Sequence, residues 1–147
     1  MKVLLQRVKE ATVYIDDFAV GHIGQGLLLF VGFCKKDTIR NVDTMIDKLV
    51  KFRVFHDTHG KMNLSIQDTP GDILVVSQFT LCASTKKGTR PSFDNALSFN
   101  KAQKLYDYLI VKLREKLSDK NIETGKFGAY MQVHLINDGP ATFLLEV

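Results

Sequence analysis

The chain has 147 residues, 45% of them apolar and 24% charged, with a formal net charge of +4 at pH 7. This composition excludes an intrinsically disordered chain and predicts one folded domain over residues 1–147. No apolar run approaches the roughly 20 residues that a membrane-spanning helix needs. Because polar residues also interrupt the first segment too early for a signal peptide, we expect a cytoplasmic protein.

The first half of the sequence predicts strands and one helix. Apolar or alternating runs predict strands over 2–8, 11–15, 19–23 and 27–31. Gly24 and Gly26 lack the third glycine of a dinucleotide-binding loop, and a strand follows them, so we interpret them as a turn. The apolar period then becomes that of a helix, with Asp37 or Thr38 as its N-cap. A further strand is predicted around 53–55.

The second half of the sequence contains a buried strand, a long helix and a terminal strand pair. The apolar run 73–76 predicts a strand whose end turns polar at Ser77. Ser98 is the predicted N-cap of a helix whose buried stripe contains Ala102, Leu105, Tyr106, Leu109, Leu113 and Leu117. Glycines over 125–129 then lead into a strand over 131–135, and a break at 137–140 separates it from a last strand over 141–147.

These elements predict an α/β fold. We expect a single domain with a mixed, partly curled, barrel-like β-sheet and two main helices packed on one face. The apolar strands at the end of the chain could also pair across the interface of a homodimer, because exposed strand edges need a partner or a cover.

The cysteines and histidines show no metal-binding pattern. Cys34 and Cys82 each lie beside apolar residues, so we predict two reduced, structural thiols, which would fit a reducing compartment. His56 and His59 are close in sequence, but no third ligand lies at a diagnostic spacing. We therefore predict no metal site and no cofactor.

The polar end of the central strand, Ser77–Thr80, is the first candidate for chemistry. A Ser or Thr nucleophile needs a base within hydrogen-bond reach, yet no His, Asp, Glu or Lys follows before Lys86. A nucleophile elbow of the form G-x-S-x-G is also missing from the sequence. Two interpretations remain open: hydroxyls that close a strand end, or a site whose backbone N–H groups stabilise an oxyanion.

Two other features leave alternatives open. We interpret Gly139-Pro140 first as a simple turn. The alternative interpretation is a rigid cis peptide with carbonyls directed into a neighbouring site. We interpret the basic loop 86–90, together with the lysines of the long helix, first as a solvated surface. The alternative interpretation is a surface that binds nucleic acid.

Two well-separated motifs, Ser77–Leu81 and Asn137–Thr142, strongly resemble those of the D-aminoacyl-tRNA deacylases, also called D-tyrosyl-tRNA deacylases. Further similar segments lie at 5–8, 60–63, 90–93 and 131–133. The resemblance implies a homodimeric hydrolase, with active sites at the subunit interface, that cleaves the ester between a D-amino acid and the 3′-terminal adenosine of tRNA. Glycyl-tRNA is a further expected substrate.

The resemblance also implies roles for individual residues. Gly139 and Pro140 would form a cis-peptide gate that enters the other subunit's active site and excludes L-amino acids. Phe79 would donate its backbone N–H to the oxyanion, and Arg7 would brace the gate across the dimer. The pocket would be lined by Ser77, Gln78, Phe79 and Thr80, with Ala102, Phe127 and Met131 as walls.

The sequence leaves the attacking group open. Thr80 is one candidate nucleophile, and water activated with the help of the tRNA's terminal 2′-hydroxyl is the other, which we favour because no base is visible beside Thr80. Two rival functions are a non-catalytic module that binds tRNA or DNA and a conventional Ser or Thr hydrolase of small esters.

Overall fold

The computed structural model describes residues 1–86 and 88–147. Its strands are β1 Lys2–Ile15, β2 Phe18–Ile23, β3 Gly26–Gly32, β4 Phe55–His56, β5 Met62–Leu64, β6 Asp72–Ser77, β7 Ile122–Thr124 and β8 Gln132–Glu146. The α-helices are α1 Ile39–Val50 and α2 Phe99–Lys116, and short 3₁₀ turns cover Ile66–Asp68 and Phe79–Cys82. None of the helices in this part of the chain is long and apolar enough to cross a membrane.

Strand β1 organises the main sheet, whose order is β2-β1-β3-β6-β7, with β8 also paired to β1. The first half of β1 pairs antiparallel with β3 and its second half with β2, while β8 runs along both halves. Strands β3, β6 and β7 are parallel. The sheet curls back on itself, since a Cβ at Gly21 of β2 would lie 2.6 Å from the Thr124 carbonyl oxygen of β7. The predicted mixed, barrel-like sheet is confirmed.

Apolar side chains fill both faces of this sheet. On one face, Leu29 of β3 and Val75 of β6 pack with Met45 of α1 and Leu109 of α2. On the other face, inside the curl, a second cluster contains Val8, Ala11, Val13, Ile23, Leu28, Leu74 and Val76. Because both faces are covered, β3 and β6 are continuous apolar runs rather than alternating ones. The two helices share one face, as predicted.

Three predicted strand boundaries were wrong. The strands predicted at 2–8 and 11–15 are one strand, because Glu10 stays in the ladder opposite Ile136. The two terminal strands are likewise the single strand β8, which follows β1 past the break at 137–140. The strand predicted from residue 53 begins at Phe55, and β7 was missed because three residues carry no periodic signal.

Because β6 approaches β3 closely, Gly26→Ala is predicted to destabilise the fold strongly. A Cβ at Gly26 would lie 2.0 Å from the Asp72 carbonyl oxygen, whereas a Cβ at Gly24 would meet nothing within 4 Å. We expect Gly26→Ala to lower the free energy of unfolding by about 3 kcal/mol, the upper end of what overpacking costs. The matched control Gly24→Ala should stay within about 0.5 kcal/mol of the wild type. Urea unfolding followed by circular dichroism checks this, and equal midpoints for the two variants would contradict it.

Candidate active site

The candidate site begins where β6 ends, at Ser77. The N–H of Gln78 donates to the Val31 carbonyl at 2.7 Å, which keeps the chain beside β3 for one residue beyond the strand. Gly32 permits this contact, since a Cβ there would lie 2.8 Å from the Gln78 carbonyl oxygen. The chain then turns through Phe79–Cys82, so backbone contacts fix the position of the polar strand end.

The end of β6 forms one wall of a pocket of about 560 Å³. The pocket brings together six residues that sequence reasoning selected: Ser77, Gln78, Phe79, Ala102, Phe127 and Met131. Thr80 lies exposed beside them, and its Oγ1 accepts a hydrogen bond from Gln78 Nε2 at 2.6 Å. Seven of the selected residues therefore lie in or next to one pocket.

A shared hydrogen-bond acceptor, the Val75 carbonyl, holds the opposite wall in place. It accepts from the Gly125 N–H at 3.0 Å and from the Tyr106 hydroxyl at 2.9 Å. Burial raises the pKa of Tyr106, so its phenol stays protonated and remains a donor. The Tyr106 ring also packs against Phe127, with centroids 5.3 Å apart. Helix α2, strand β6 and the loop after β7 thus meet at one carbonyl.

The pocket carries little ionisable chemistry. Among the lining residues that the structure describes, Tyr130 is the only one with a titratable side chain. The N–H groups of Phe79 and Thr80 stand first in the 3₁₀ turn, where the turn itself offers them no acceptor. Within the described ranges there is also no group of three or more His, Cys, Asp or Glu side chains that could hold a metal ion. Backbone donors, the hydroxyls of Ser77 and Tyr130 and the amide of Gln78 are what this pocket offers to a substrate.

Gly139 and Pro140 lie outside the lining of this pocket. Thr142 of β8 pairs with Gln6 and Asn137 pairs with Val8, so the segment 138–141 bulges out of the ladder. The Gly139–Pro140 peptide bond is cis, and both residues are exposed. The bulge is closed at its base, where the Asn137 Oδ1 accepts from the Ala141 N–H at 2.7 Å.

Arg7 holds the bulge from below. It is only 2% exposed, and its Nε donates to the Asp138 carbonyl at 2.9 Å and lies 3.3 Å from the Asp138 carboxylate. Another guanidinium nitrogen donates to the Val54 carbonyl. The contact that the structure describes lies within one chain, and a brace across a dimer stays a prediction.

A family model described as "D-Tyr-tRNA(Tyr) deacylase" matches residues 4–146. The chain belongs to this family. It is 51% identical over 146 residues to the "D-aminoacyl-tRNA deacylase" of Teredinibacter turnerae, covering 99% of each chain. It is 49% identical over 147 residues to the "D-aminoacyl-tRNA deacylase" of Acinetobacter baylyi, covering 100% of this chain and 99% of the relative. The predicted family and the predicted class of enzyme, a hydrolase, are confirmed.

Two solved structures are similar along nearly the whole deacylase. The "c-Myc DNA Unwinding Element Binding Protein" superposes with a TM-score of 0.95 at 39% identity and covers 100% of this chain and 99% of its own. A "probable eukaryotic D-amino acid tRNA deacylase" superposes with a TM-score of 0.83 at 19% identity, covering 99% of this chain and 98% of its own. The second likeness shows a shared fold.

Sequence reasoning missed part of the deacylase's pocket. The residues it missed are Val31, Phe33, Val76, Ala96, Leu97, Phe99, Gly128, Ala129, Tyr130 and Val133. The available signal in the sequence was the presence of aromatic residues that do not belong to the buried stripe of a helix. In the structure, Phe99 is 58% exposed and Tyr130 is 90% exposed. The ring of Phe99 packs on Phe127 with centroids 5.2 Å apart. In the basic loop 86–90, Lys87 lies outside the described residues.

The prediction of two reduced cysteines was wrong, because Cys34 and Cys82 form a disulfide. Val31 of β3 pairs with Ser77 of β6, so the segments that follow these parallel strands leave the sheet at the same edge. This brings the two Cα atoms within 5.5 Å across a sequence separation of 48. The cysteines therefore give no support for a reducing compartment.

Reducing the disulfide should destabilise the deacylase. Closing a loop of this length restricts the unfolded chain, and bonds of this kind are worth about 2–4 kcal/mol. We expect dithiothreitol to lower the unfolding midpoint of the wild type in urea. A Cys34→Ser, Cys82→Ser double variant should unfold near the reduced wild type and should not respond to dithiothreitol. Identical midpoints for oxidised and reduced wild type would contradict the assignment.

Proposed function

We propose that this deacylase hydrolyses the ester that joins a D-amino acid to the 3′-terminal adenosine of tRNA. It also cleaves glycyl-tRNA and leaves L-aminoacyl-tRNA intact. The supporting observation is a pocket of about 560 Å³ at the end of β6, with Ser77, Gln78 and Phe79 on one wall. The relatives named "D-aminoacyl-tRNA deacylase" align with this chain over nearly their full length. A tRNA substrate places this activity in the cytoplasm, where translation occurs.

In the proposed reaction, water attacks the ester carbonyl carbon and forms a tetrahedral intermediate. The new oxyanion accepts a hydrogen bond from the Phe79 N–H, which the 3₁₀ turn leaves free of an internal partner. The bond between the acyl carbon and the ribose 3′-oxygen then breaks, and a proton passes to that oxygen. The products are a free D-amino acid and tRNA.

The group that helps to remove the proton from water is the 2′-hydroxyl of the terminal ribose. Two observations favour it over a protein base. Of the described residues that line the pocket, none is His, Asp, Glu or Lys. The Thr80 hydroxyl accepts from the Gln78 amide, which is neutral and cannot take up its proton. In this proposal Thr80 is therefore not the attacking group.

Stereochemical selection comes from a second copy of the chain. Gly139 and Pro140 are exposed on a bulge and do not line the pocket of their own chain, so in this proposal they enter the pocket of the second copy. The strand that carries the bulge also exposes Ile136 by 50% and Leu144 by 53%, which suits burial in a homodimer. The carbonyls of the gate occupy the space that an L side chain would need, so selection works by exclusion.

A nucleic-acid-binding module without catalysis is the second candidate. The observation that favours it is the 39% identity to the structure of the "c-Myc DNA Unwinding Element Binding Protein". Such a module needs neither the polar strand end nor the bulge.

The first prediction from the proposed function concerns stereochemistry. With a chelator present, the wild type should release D-tyrosine from D-tyrosyl-tRNA and leave L-tyrosyl-tRNA intact. Pro140→Ala should raise cleavage of the L ester by on the order of tenfold, equal to about 1.4 kcal/mol of lost discrimination. The matched control is Pro70→Ala, an exposed proline that precedes the opposite end of β6. Equal cleavage of both esters by the wild type would reject the gate. Cleavage of neither, with tRNA still bound, would favour the binding module.

The second prediction separates the two attacking groups. Thr80→Val removes the hydroxyl but keeps the shape, and we expect it to lower kcat less than about tenfold. The wild type should cleave D-tyrosyl-tRNA that ends in 2′-deoxyadenosine at a rate at least about a hundredfold lower than the normal substrate, because general base assistance accelerates a reaction by that much. Single-turnover rates of amino acid release measure both. Loss of nearly all turnover in Thr80→Val, with the deoxy substrate unaffected, would instead identify Thr80 as the nucleophile.

A further inference from the structure

Two exposed phenylalanines form a pair at the edge of the pocket. Phe79 lines the pocket and is 57% exposed, and Phe93 lies outside the lining and is 42% exposed. Their ring centroids are 5.0 Å apart. Phe93 belongs neither to the hydrophobic core nor to the proposed reaction, although its large ring is exposed.

The backbone around Phe93 is held in place by several hydrogen bonds. Ser92 exchanges two backbone hydrogen bonds with Ser84, at 2.8 and 2.9 Å, and the Phe93 carbonyl accepts from the Ala96 N–H at 2.9 Å. The Ser92 hydroxyl donates to the Asp94 carboxylate at 2.8 Å. The ring pair is therefore attached to a fixed part of the surface.

Three positively charged residues without carboxylate partners in the described ranges lie on the segments that adjoin Phe93. Lys86 and Arg90 lie in the segment that Ser84 and Ser92 close, and the Lys35 N–H donates to the Asn95 carbonyl at 2.9 Å. In the described part of the chain none of these three cations has an ion pair, whereas Lys112 and Lys116 on α2 pair with Glu115 and Asp47. Asp94 is the acid on this segment, and its carboxylate is engaged by Ser92.

We propose that the Phe79–Phe93 pair is a stacking platform for the unpaired base that precedes the terminal adenosine of the substrate. Exposed aromatic rings beside free cations are what single-stranded nucleic acids bind, because every base has a face that stacks and every nucleotide has a phosphate. This inference rests on the proposed function, which places the terminal nucleotide in the adjacent pocket. The neighbouring nucleotide must then lie just outside the pocket, where Phe93 lies.

The test compares three D-tyrosyl esters: of adenosine, of the trinucleotide CpCpA and of full tRNA. For the wild type, the CpCpA ester should have a lower KM than the adenosine ester. Phe93→Ala should raise the KM for the CpCpA and tRNA esters by about fivefold or more, the range expected from removing one stacking ring. Its kcat and its KM for the adenosine ester should not change.

Two further variants separate stacking from a structural effect. Phe93→Tyr keeps the ring and should retain the wild-type KM. Phe18→Ala removes a phenylalanine that is 76% exposed on β2 and is not part of the pocket lining, and it should leave the KM of all three esters unchanged. An equal effect of Phe93→Ala on all three esters, or no effect on any, would overturn the platform.

Failure of the proposed function gives a different result. If the wild type cleaves none of the esters, hydrolysis is rejected, and the platform is judged from binding alone. The probe is then an uncharged oligonucleotide ending in CpCpA, titrated by fluorescence anisotropy. Weaker binding to Phe93→Ala than to Phe93→Tyr would support the platform, and equal binding would reject it.

Discussion

The parallel pairing of β3 with β6 is the constraint on which the site depends. The ladder runs from Gly26 opposite Asp72 to Val31 opposite Ser77, so both strands leave the sheet at the same edge. Parallel strands that are buried on both faces are rigid, and their carboxyl ends are a common place for binding sites. The pocket, the 3₁₀ turn and the disulfide all lie at this edge because the ladder ends there.

Sequence patterns predicted the helices and strands of the fold better than they predicted where the strands end. The helices and the buried strands were predictable because their periodicity is local. Glu10 and the segment 137–140 looked like breaks because polar residues and proline normally end strands. They do not end them here, since β1 and β8 pair on both sides of the bulge. The disulfide was unpredictable for a related reason, because only the neighbourhood of β3 and β6 brings its cysteines together.

The residues of the candidate site were likewise predictable from local sequence patterns only in part. The polar strand end at Ser77 follows from a local pattern, whereas Phe127 and Met131 were expected only from the family resemblance. They reach the pocket because the Val75 carbonyl binds both the Gly125 N–H and the Tyr106 hydroxyl, and no spacing rule encodes such a contact. Helix α2 was predicted from its buried stripe, so Phe99, an exposed aromatic residue at the start of that helix, was overlooked, as was the exposed Tyr130.

Under the proposed function, catalysis and selection belong to different parts of the chain, the pocket and the Gly139–Pro140 bulge. The pocket, with its backbone donors, is lined by residues of one chain, and the exposed Gly139 and Pro140 are not among them. Arg7 is buried beneath the bulge, and its guanidinium contacts two carbonyls and one carboxylate, so contacts within a single chain hold the bulge in place. Under the proposed function, dissociation of the homodimer would therefore remove discrimination between D and L esters rather than the hydrolytic groups. Assembly would then act as the condition for accuracy, and a tight dimer would protect the abundant L-aminoacyl-tRNA from an unguarded pocket.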